Sequence, residues 1–499
     1  MTLPNTDFVP ASPFVGAKPA VSPVTCGQRD PFGFESVHLL GIGGCGMSAI
    51  AQAMLACGLR VSGSDARASK VCEALVEAGA TVYTGHDAAN LGDVDAVVVS
   101  SAIRQDNAEL AAARERGIRI LHRSEALALF LASRRSVLVS GTHGKTTTSS
   151  LAALVLEAAG FDPWAFIGGR VPAFNGNTRI GGLEWAVAEA DESDGSFEVL
   201  PAGHLIVTNI ECDHLDYWKS RDAMMAGYCR VVAKAADDAT ILVNADDAGS
   251  RELLEAVTRK VKTYGIETTK ADYYGTDIVL SARSASFDFY ADSWFAGRFE
   301  IGAPGLHNVS NAIAALGMLA SLGGDPSLAA EALRNFTGAG RRFDVKGEAA
   351  GVTVIDDYAH HPTEIRATIA AAHALKVERA GRLVTVFQPH RYTRTRDFLT
   401  DFAAAFDEAD KVIFTDVYSA GEEPLPGVTI DALADLAAAR CNHPVEVIRQ
   451  RKDIVPLLLP HLREGDVVLM LGAGDITHSA QELLDSLSSQ SRSQRGPAT

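Results

Sequence analysis

The chain is expected to fold as three α/β domains: an N-terminal Rossmann-like domain, a central P-loop ATPase-like domain with a mostly parallel sheet, and a C-terminal Rossmann-like domain. Three observations lead there. Short apolar runs alternate with amphipathic stretches, the pattern of strands and helices laid down in turn. The runs are apolar on both faces, as strands of a parallel sheet covered by helices must be. Three of them end in glycine-rich or phosphate-like turns. At 499 residues the chain has room for about three domains of ~150 residues.

Residues 37–40, 60–64, 96–100, 136–140, 205–209, 352–355, 383–387, 411–415 and 466–471 read as buried strands. Helical patterns cover 47–57, 70–77, 146–159 and 363–374. Boundaries fall near residues 134 and 342, which gives domains over 33–134, 135–342 and 343–485. Residues 1–32, rich in Pro, Ala, Val and Ser, and residues 486–499 read as flexible tails.

The net charge of −17 argues against nucleic acid and anionic membranes as partners. No apolar run approaches the ~20 residues of a spanning helix, so no membrane insertion is expected. The start of the chain has no basic segment followed by an apolar one. Seven cysteines, an odd number with no C-x-x-C pair, suit reduced thiols. A cytoplasmic protein is expected. An acidic chain of this kind needs a local nest or basic patch to hold an anion.

The first such nest is Gly41-Ile42-Gly43-Gly44-Cys45-Gly46, between a strand and a helix, with Asp65 ending the next strand. Glycines at Gly41, Gly43, Gly44 and Gly46 allow a tight turn and bring backbone N–H groups to a phosphate at a helix N-terminus. The backbone reads phosphate and not the base. NAD and a UDP-sugar therefore both fit, and a ligand-free glycine turn remains the plain alternative. The second nest is Gly141-Thr142-His143-Gly144-Lys145-Thr146-Thr147 after strand 136–140. It is P-loop-like: amides and Lys145 suit the β- and γ-phosphates of ATP, and Thr146 suits Mg²⁺. It departs from the strict spacing, because Val139 stands six before Lys145 where a glycine is usual.

Two strand ends of this domain carry clustered carboxylates, Glu189–Asp194 and 211–216. Like charges so close need cations to neutralise them, and hard oxygen ligands suit Mg²⁺. A solvated acidic loop is the alternative for either one alone. The basic patch is 387–396, with His390, Arg391, Arg394 and Arg396 after a core strand. That is the sheet edge where α/β proteins bind ligands. Arg341-Arg342 sits at a domain boundary, where a solvated linker pair is the plain reading. Adjacent His360 and His361 project differently and show no third ligand, which disfavours zinc.

From about 36 to 476 the chain resembles the Mur ligase family of peptidoglycan synthesis. The shared marks are the 141–147 loop, Glu189, Asp213-His214, and Gly305-Leu306-His307-Asn308-Val309-Ser310-Asn311. Within the family, Gly41–Gly46, 189–197 (EADESDGSF), 356–364 (DDYAHHPTE) and 387–395 (FQPHRYTRT) are most similar to the member that joins L-alanine to UDP-N-acetylmuramate. A departure is Ala359, where the family often has Gly.

The resemblance implies domains for the UDP-sugar, for ATP and for the amino acid, in that order. It implies an acyl phosphate that the amine attacks, giving a tetrahedral intermediate and then UDP-N-acetylmuramoyl-L-alanine, ADP and phosphate. It assigns Gly41, Gly43, Gly44, Gly46, Asp65, Ser101 and Ser193 to the UDP-sugar. Gly141, Thr142, His143, Gly144, Lys145, Thr146 and Thr147 go to the ATP phosphates. Thr146 and Glu189 would hold one Mg²⁺ and His214 a second, although imidazole prefers softer metals. His307, Asn308 and Asn311 would contact adenine, Asp357 the ribose, and Arg342 the γ-phosphate. His360 would lie on the alanine side, and His390, Arg391 and Arg394 would hold the alanine carboxylate and the tetrahedral intermediate. Alternatives are a ligase that attaches a tripeptide to the same sugar nucleotide, and an NAD-dependent oxidoreductase that uses the first loop.

Overall fold

The structure, a computed structural model, describes residues 31–441 and 443–494. Its chain divides into two compact units. One runs to Asp277 and includes Phe287–Phe299 and Ser310–Asn335. The other holds Ile278–Ser286, Glu300–Val309 and the chain from Phe336 onward.

Three sheets carry the α/β architecture. The first contains β1 (Ser36–Leu40), β2 (Arg60–Asp65), β3 (Thr81–Thr84), β4 (Ala96–Val99) and β5 (Arg119–His122) in the order 3-2-1-4-5. Every pairing in it is parallel. The order reverses between β1 and β4, the place where such sheets open a crevice. The chain then forms β6 (Arg135–Ser140), β7 (Trp164–Val171), β8 (Gly176–Arg179), β9 (Trp185–Glu189), β10 (His204–Val207), β11 (Ile241–Asn244), β12 (Lys262–Gly265), β13 (Tyr273–Leu280), β14 (Ala285–Ala291) and β15 (Trp294–Ile301). They make one sheet of order 15-14-13-12-11-10-6-9-7-8. β13 through β7 in that order run parallel, and β8 is antiparallel to β7.

The last sheet takes β16 (Asp344–Ala349), β17 (Val352–Asp357), β18 (Leu383–Phe387), β19 (Lys411–Phe414), β20 (Val445–Val447) and β21 (Val467–Leu471) in the order 16-17-21-18-19-20. Only β16 is antiparallel to its neighbour. β17, β18 and β21 are buried along their whole length, as strands covered on both faces should be.

In the first unit, Phe130 ties the first sheet's helix layer to the second sheet. Its ring meets Trp164 and Phe166 edge-on at 5.0 and 5.1 Å.

Both tail expectations need correction where the structure speaks to them. Residues 1–30 lie outside the described residues, but Phe32 is buried and packs 6.2 Å from Phe130, so the first domain's core reaches into the expected tail. At the other end, the helix Thr477–Gln494 continues through 486–494. Leu483 and Leu487 are buried in the core layer that the helix forms with β17 and β21. Ser486, Ser488 and Ser489 donate to carbonyls four residues back at 2.7–2.9 Å. Serine-rich composition suggested a solvated tail, and it instead satisfies helix carbonyls.

Candidate functional site

The first glycine turn is held by its own backbone. Gly41 has φ +73°. Its N–H and that of Ile42 both donate to the Ser64 carbonyl, at 2.8 and 3.0 Å. The helix Cys45–Ala56 follows with no side-chain cap, so its first amides stay available to an anion. Gly43 N–H donates to Asp65 Oδ2 at 3.0 Å. A Cβ at Gly43 would lie 2.9 Å from both that oxygen and Cys72 Sγ, which is why a glycine stands there. Arg123 reaches over the same turn, with its Nη1 2.9 Å from where a Gly46 Cβ would be. Ser101 donates to Asp194 at 3.1 Å, which places it beside Ser193, whose N–H is turned onto Asp191. The turn, Asp65, Ser101 and Ser193 thus all belong to the first unit.

The second turn sits at the end of β6 and is bound to the end of β10. Thr142 N–H donates to Asn209 O (3.1 Å) and His143 N–H to Asn209 Oδ1 (2.8 Å). Gly144 has φ +79°, and a Cβ there would meet Asn311 Oδ1 at 2.9 Å. The helix Lys145–Ala158 begins immediately, with Thr146 and Thr147 buried in its first turn and Thr148 donating to Asn311 at 3.0 Å.

Lys145 donates to the carbonyls of Gly141 (2.7 Å) and Thr142 (3.1 Å) and pairs with the fully buried Glu192 at 2.8 Å. Lys145 thus supplies one cation to the acidic strand end. Burial opposes the lysine's charge, but Glu192, Asp191 and Glu189 together hold its pKa above the ordinary value. Burial pushes Glu192 up to about 7, against the pull of Lys145.

Thr146 Oγ1 donates to the Glu189 carboxylate, 3.0 and 3.2 Å from its two oxygens. The Gly168 N–H fixes the same carboxylate at 2.7 Å, and a Cβ at 168 would run into it. His214 is in the left-handed region at φ +54°, with Nε2 3.8 Å from Glu192 and 3.6 Å from Asp213. His143 Nε2 lies 3.5 Å from Glu211. Lys145 and His214 thus both approach Glu192, and Thr146, the next residue after Lys145, holds Glu189.

In the second unit, β17 ends in Asp356 and Asp357. The Asp357 carboxylate accepts from Phe343 N–H (2.6 Å) and Ala359 N–H (2.7 Å). Burial pushes it up to about 6 although Arg342 is near. Ala359 is not among the positive-φ residues, so the alanine costs the turn nothing. Arg342 reaches Glu364 at 3.4 Å and lies over the Tyr358 ring at 5.2 Å.

His360 Nδ1 meets the Tyr358 carbonyl at 3.0 Å, while His361 caps the helix Pro362–Arg379 and packs on Phe398. The adjacent rings serve different partners, as expected. His307 and Asn308 open the helix Leu306–Ser321 behind Gly305, whose Cβ would meet the His307 ring at 2.6 Å. Burial and then Arg342 lower His307 to about 4, so its ring is neutral.

β18 leads to the basic patch. Arg391 is left-handed (φ +69°), and its N–H donates to Tyr418 O at 2.8 Å. The His390 ring stacks on Tyr418 at 5.6 Å and faces His360 at 6.1 Å. Burial, then Arg394 and Arg391, lower His390 to about 4. Its Nδ1 is buried with no hydrogen-bond partner among the described residues. An orphaned ring nitrogen flanked by the buried Arg394 and by Arg391 suits a polar ligand. Glu192, Glu364 and Tyr418 were not singled out from sequence. Glu192 lay inside a flagged acidic cluster, but Tyr418 carries no local signal.

A glycine turn at a strand end on each of the first two sheets, and a basic turn on the third, define a three-domain α/β protein built like a nucleotide-dependent enzyme. Three family models match most of it: Mur ligase family, catalytic domain over 36–135; Mur ligase middle domain over 139–319; and Mur ligase, glutamate ligase domain over 341–474. The chain belongs to the Mur ligase family.

It is 45% identical over 451 residues to the UDP-N-acetylmuramate–L-alanine ligase of Pelotomaculum thermopropionicum, covering 90% of this chain and 97% of the relative. It is 44% identical to the enzyme of that name from Anaeromyxobacter dehalogenans, at the same coverage. The crystal structure of a UDP-N-acetylmuramate-alanine ligase from Thermotoga maritima superposes with a TM-score of 0.76 at 28% identity, covering 91% of this chain and 99% of that one. A murein peptide ligase from Psychrobacter arcticus shares the fold, with a TM-score of 0.67 at 24% identity over 91% of this chain and 99% of that one.

Proposed function

We propose that this chain is the ATP-dependent ligase that joins L-alanine to UDP-N-acetylmuramate, giving UDP-N-acetylmuramoyl-L-alanine, ADP and phosphate. The observation that carries the reading is the buried Lys145 on a glycine turn, set against an acidic strand end whose Glu189 is already joined to Thr146.

A carboxylate is a poor electrophile. Transfer of the γ-phosphoryl group to it makes an acyl phosphate, and the alanine amine then displaces phosphate. The preorganised charge of Lys145 meets the negative charge that moves in the first step. Thr146 and Glu189 offer the hard oxygens that suit Mg²⁺, and His214 stands beside them through Glu192. Bound there, Mg²⁺ supplies charge neutralisation on the phosphates. His307, Asn308 and Asn311 hold adenine and Asp357 the ribose, while Arg342 serves the γ-phosphate. Gly41, Gly43, Gly44, Gly46, Asp65, Ser101 and Ser193 hold the UDP-sugar. His390 is neutral and can hydrogen-bond the substrate through its unpartnered Nδ1, Arg391 and Arg394 pair with the alanine carboxylate, and His360 orders the same side.

Among the described residues no helix is long and apolar enough to cross a membrane, and we place the reaction in the cytoplasm. The test is phosphate release from ATP by purified protein with Mg²⁺ and UDP-N-acetylmuramate. Release that requires free L-alanine supports the reading. Release that requires a tripeptide instead points to the other member.

A further inference from the structure

One arginine has no part in the reading above. Arg341 stands beside Arg342, and from sequence alone the two read as a solvated linker pair. The structure gives their side chains different partners. Arg341 Nη2 donates to the Gly472 carbonyl at 2.6 Å, and its Nε lies 3.3 Å from Asp356 Oδ2. Asp356 is fully buried near the end of β17, and its Oδ2 also accepts from Thr477 Oγ1 at 2.6 Å. Gly472 follows β21, the strand that pairs with β17. The Arg341 guanidinium therefore spans the ends of two adjacent core strands. A buried carboxylate such as Asp356 is costly without a partner charge, so this guanidinium is tied in place.

The backbone shows why a tied side chain matters here. Arg341 is left-handed at φ +58° and Phe343 at φ +49°. Glycine takes that region freely, and an arginine or a phenylalanine does not. Such residues persist only where their surroundings over-determine them, and they collect at functional sites. Both are over-determined here. Phe343 is buried in the core of the same sheet, and its N–H donates to Asp357 Oδ2 at 2.6 Å. The Arg341 carbonyl accepts from Tyr358 N–H at 2.7 Å, and its guanidinium is held by Asp356 and Gly472. A glycine at 341 would supply the same φ without strain, but not that tie.

The residue between the two anchors is Arg342. Its N–H donates to the Ala339 carbonyl at 2.9 Å, which closes a tight turn. One side chain of the turn thus lies in the core and one on the strand ends. Between them Arg342 reaches Glu364 at 3.4 Å and lies over the Tyr358 ring at 5.2 Å.

We propose that Arg341 is a positioning residue: its hold on Asp356 and the Gly472 carbonyl fixes the strained turn that aims the Arg342 guanidinium at the γ-phosphate of ATP. The inference rests on the reading that Arg342 serves that phosphate. Arg341 acts through its neighbour and not on substrate. An arginine that merely joined the β17 and β21 ends would not distinguish a nucleotide with a γ-phosphate from one without.

The test is calorimetric binding, with Mg²⁺, of ADP and of AMP-PNP, a non-hydrolysable ATP analogue, to the full chain. The variants are Arg341→Met, Arg342→Met and the two combined. Arg342→Met is expected to weaken AMP-PNP about tenfold or more, the scale of one charge-assisted hydrogen bond, and to leave ADP unchanged. Arg341→Met should show a smaller loss of the same kind, for AMP-PNP and not for ADP. The double variant should bind AMP-PNP no more weakly than Arg342→Met alone, because nothing remains to be positioned. If Arg341→Met does not fold, Arg341→Lys, which keeps a charge beside Asp356 but lacks the planar fork, is read in the same way. Equal losses for ADP and AMP-PNP in the Arg341 variant, additive losses in the double variant, or no loss at all overturns the proposal and leaves Arg342 standing. An Arg342→Met chain that binds AMP-PNP as tightly as the native chain overturns the reading of Arg342, and this proposal with it.

Discussion

The two glycine turns of this chain differ in where their positive charge comes from. The first, Gly41 to Gly46, offers helix amides and the side chain of Arg123, which arrives from another helix. The second carries its own cation, Lys145, in its buried helix start. Arg123 is only half-buried and needs no resident counterion. A buried lysine does, because desolvation of an unpaired charge costs several kcal/mol. Glu192 answers that need, and Asp191 and Glu189 reinforce it. The first turn can therefore be weakened by steric change alone, whereas removing the second turn's cation disturbs a charge pair.

The largest effect follows from breaking that pair. Lys145→Met should lower turnover by ~10²-fold or more, the scale of losing a preorganised charge stabiliser. Its cost in stability should be modest, because a Glu192 whose pKa is already raised to about 7 can take a proton. Adding Glu192→Gln should restore the thermal midpoint without restoring turnover. Steady-state rates and melting curves on the single and double variants check both halves. Recovery of activity in the double variant would mean that the lysine acts only to neutralise its neighbour.

Next in size, Glu189→Gln should raise the Mg²⁺ concentration for half-maximal rate by ~10–100-fold, the usual consequence of disturbing a ligand and its orienting bonds. The Gly168 N–H and Thr146 hydroxyl lose a charged acceptor together. A magnesium titration of the variant that overlays the native one would remove Glu189 from the metal site.

Smaller still, Gly43→Ala should raise the KM for the UDP-sugar by about tenfold with kcat nearly unchanged. The new methyl must displace Asp65 or Cys72 by contact alone, at a cost of ~1–3 kcal/mol. An unchanged KM would mean that Asp65 can move away without loss.

The smallest effect concerns pH. His390 has its pKa lowered from 6.5 to about 4 in the folded chain, by burial first and then by Arg394 and Arg391. An imidazole that stays neutral when folded but protonates when unfolded contributes stability above pH 6.5, and that contribution is lost as pH falls from 6.5 toward about 4. His390→Asn should therefore narrow its stability gap to the native chain as pH falls through this window. Thermal midpoints at several pH values read the difference. A gap that stays constant with pH contradicts the lowered pKa.

Much of this was legible in the sequence, for physical reasons. Strands buried on both faces are continuous apolar runs, so β1, β6, β18 and β21 stood out. Glycine turns are visible because left-handed φ and close approach exclude other residues. Carboxylates at strand ends were flagged, but which of them meets which cation was not. Lys145 and Glu192 are 47 positions apart and become partners only through the pairing of β6 with β9. Tyr418 stacks on His390 through a bridge between two loops, which no periodicity reports. Arg341 reads as half of a solvated linker pair, and only the meeting of the β17 and β21 ends gives it Asp356 and Gly472 as partners. The end of the last helix, 486–494, reads as a tail because composition cannot show that Leu487 finds a core.

The chemistry is tested by an isotope. UDP-N-acetylmuramate carrying ¹⁸O in its carboxylate is turned over with ATP, Mg²⁺ and L-alanine, and the released phosphate is analysed by mass spectrometry. The account predicts one ¹⁸O in each phosphate and one retained in the new amide, because the carboxylate oxygen is transferred with the phosphoryl group. Unlabelled phosphate, or pyrophosphate in place of phosphate, would contradict an acyl phosphate formed at Lys145.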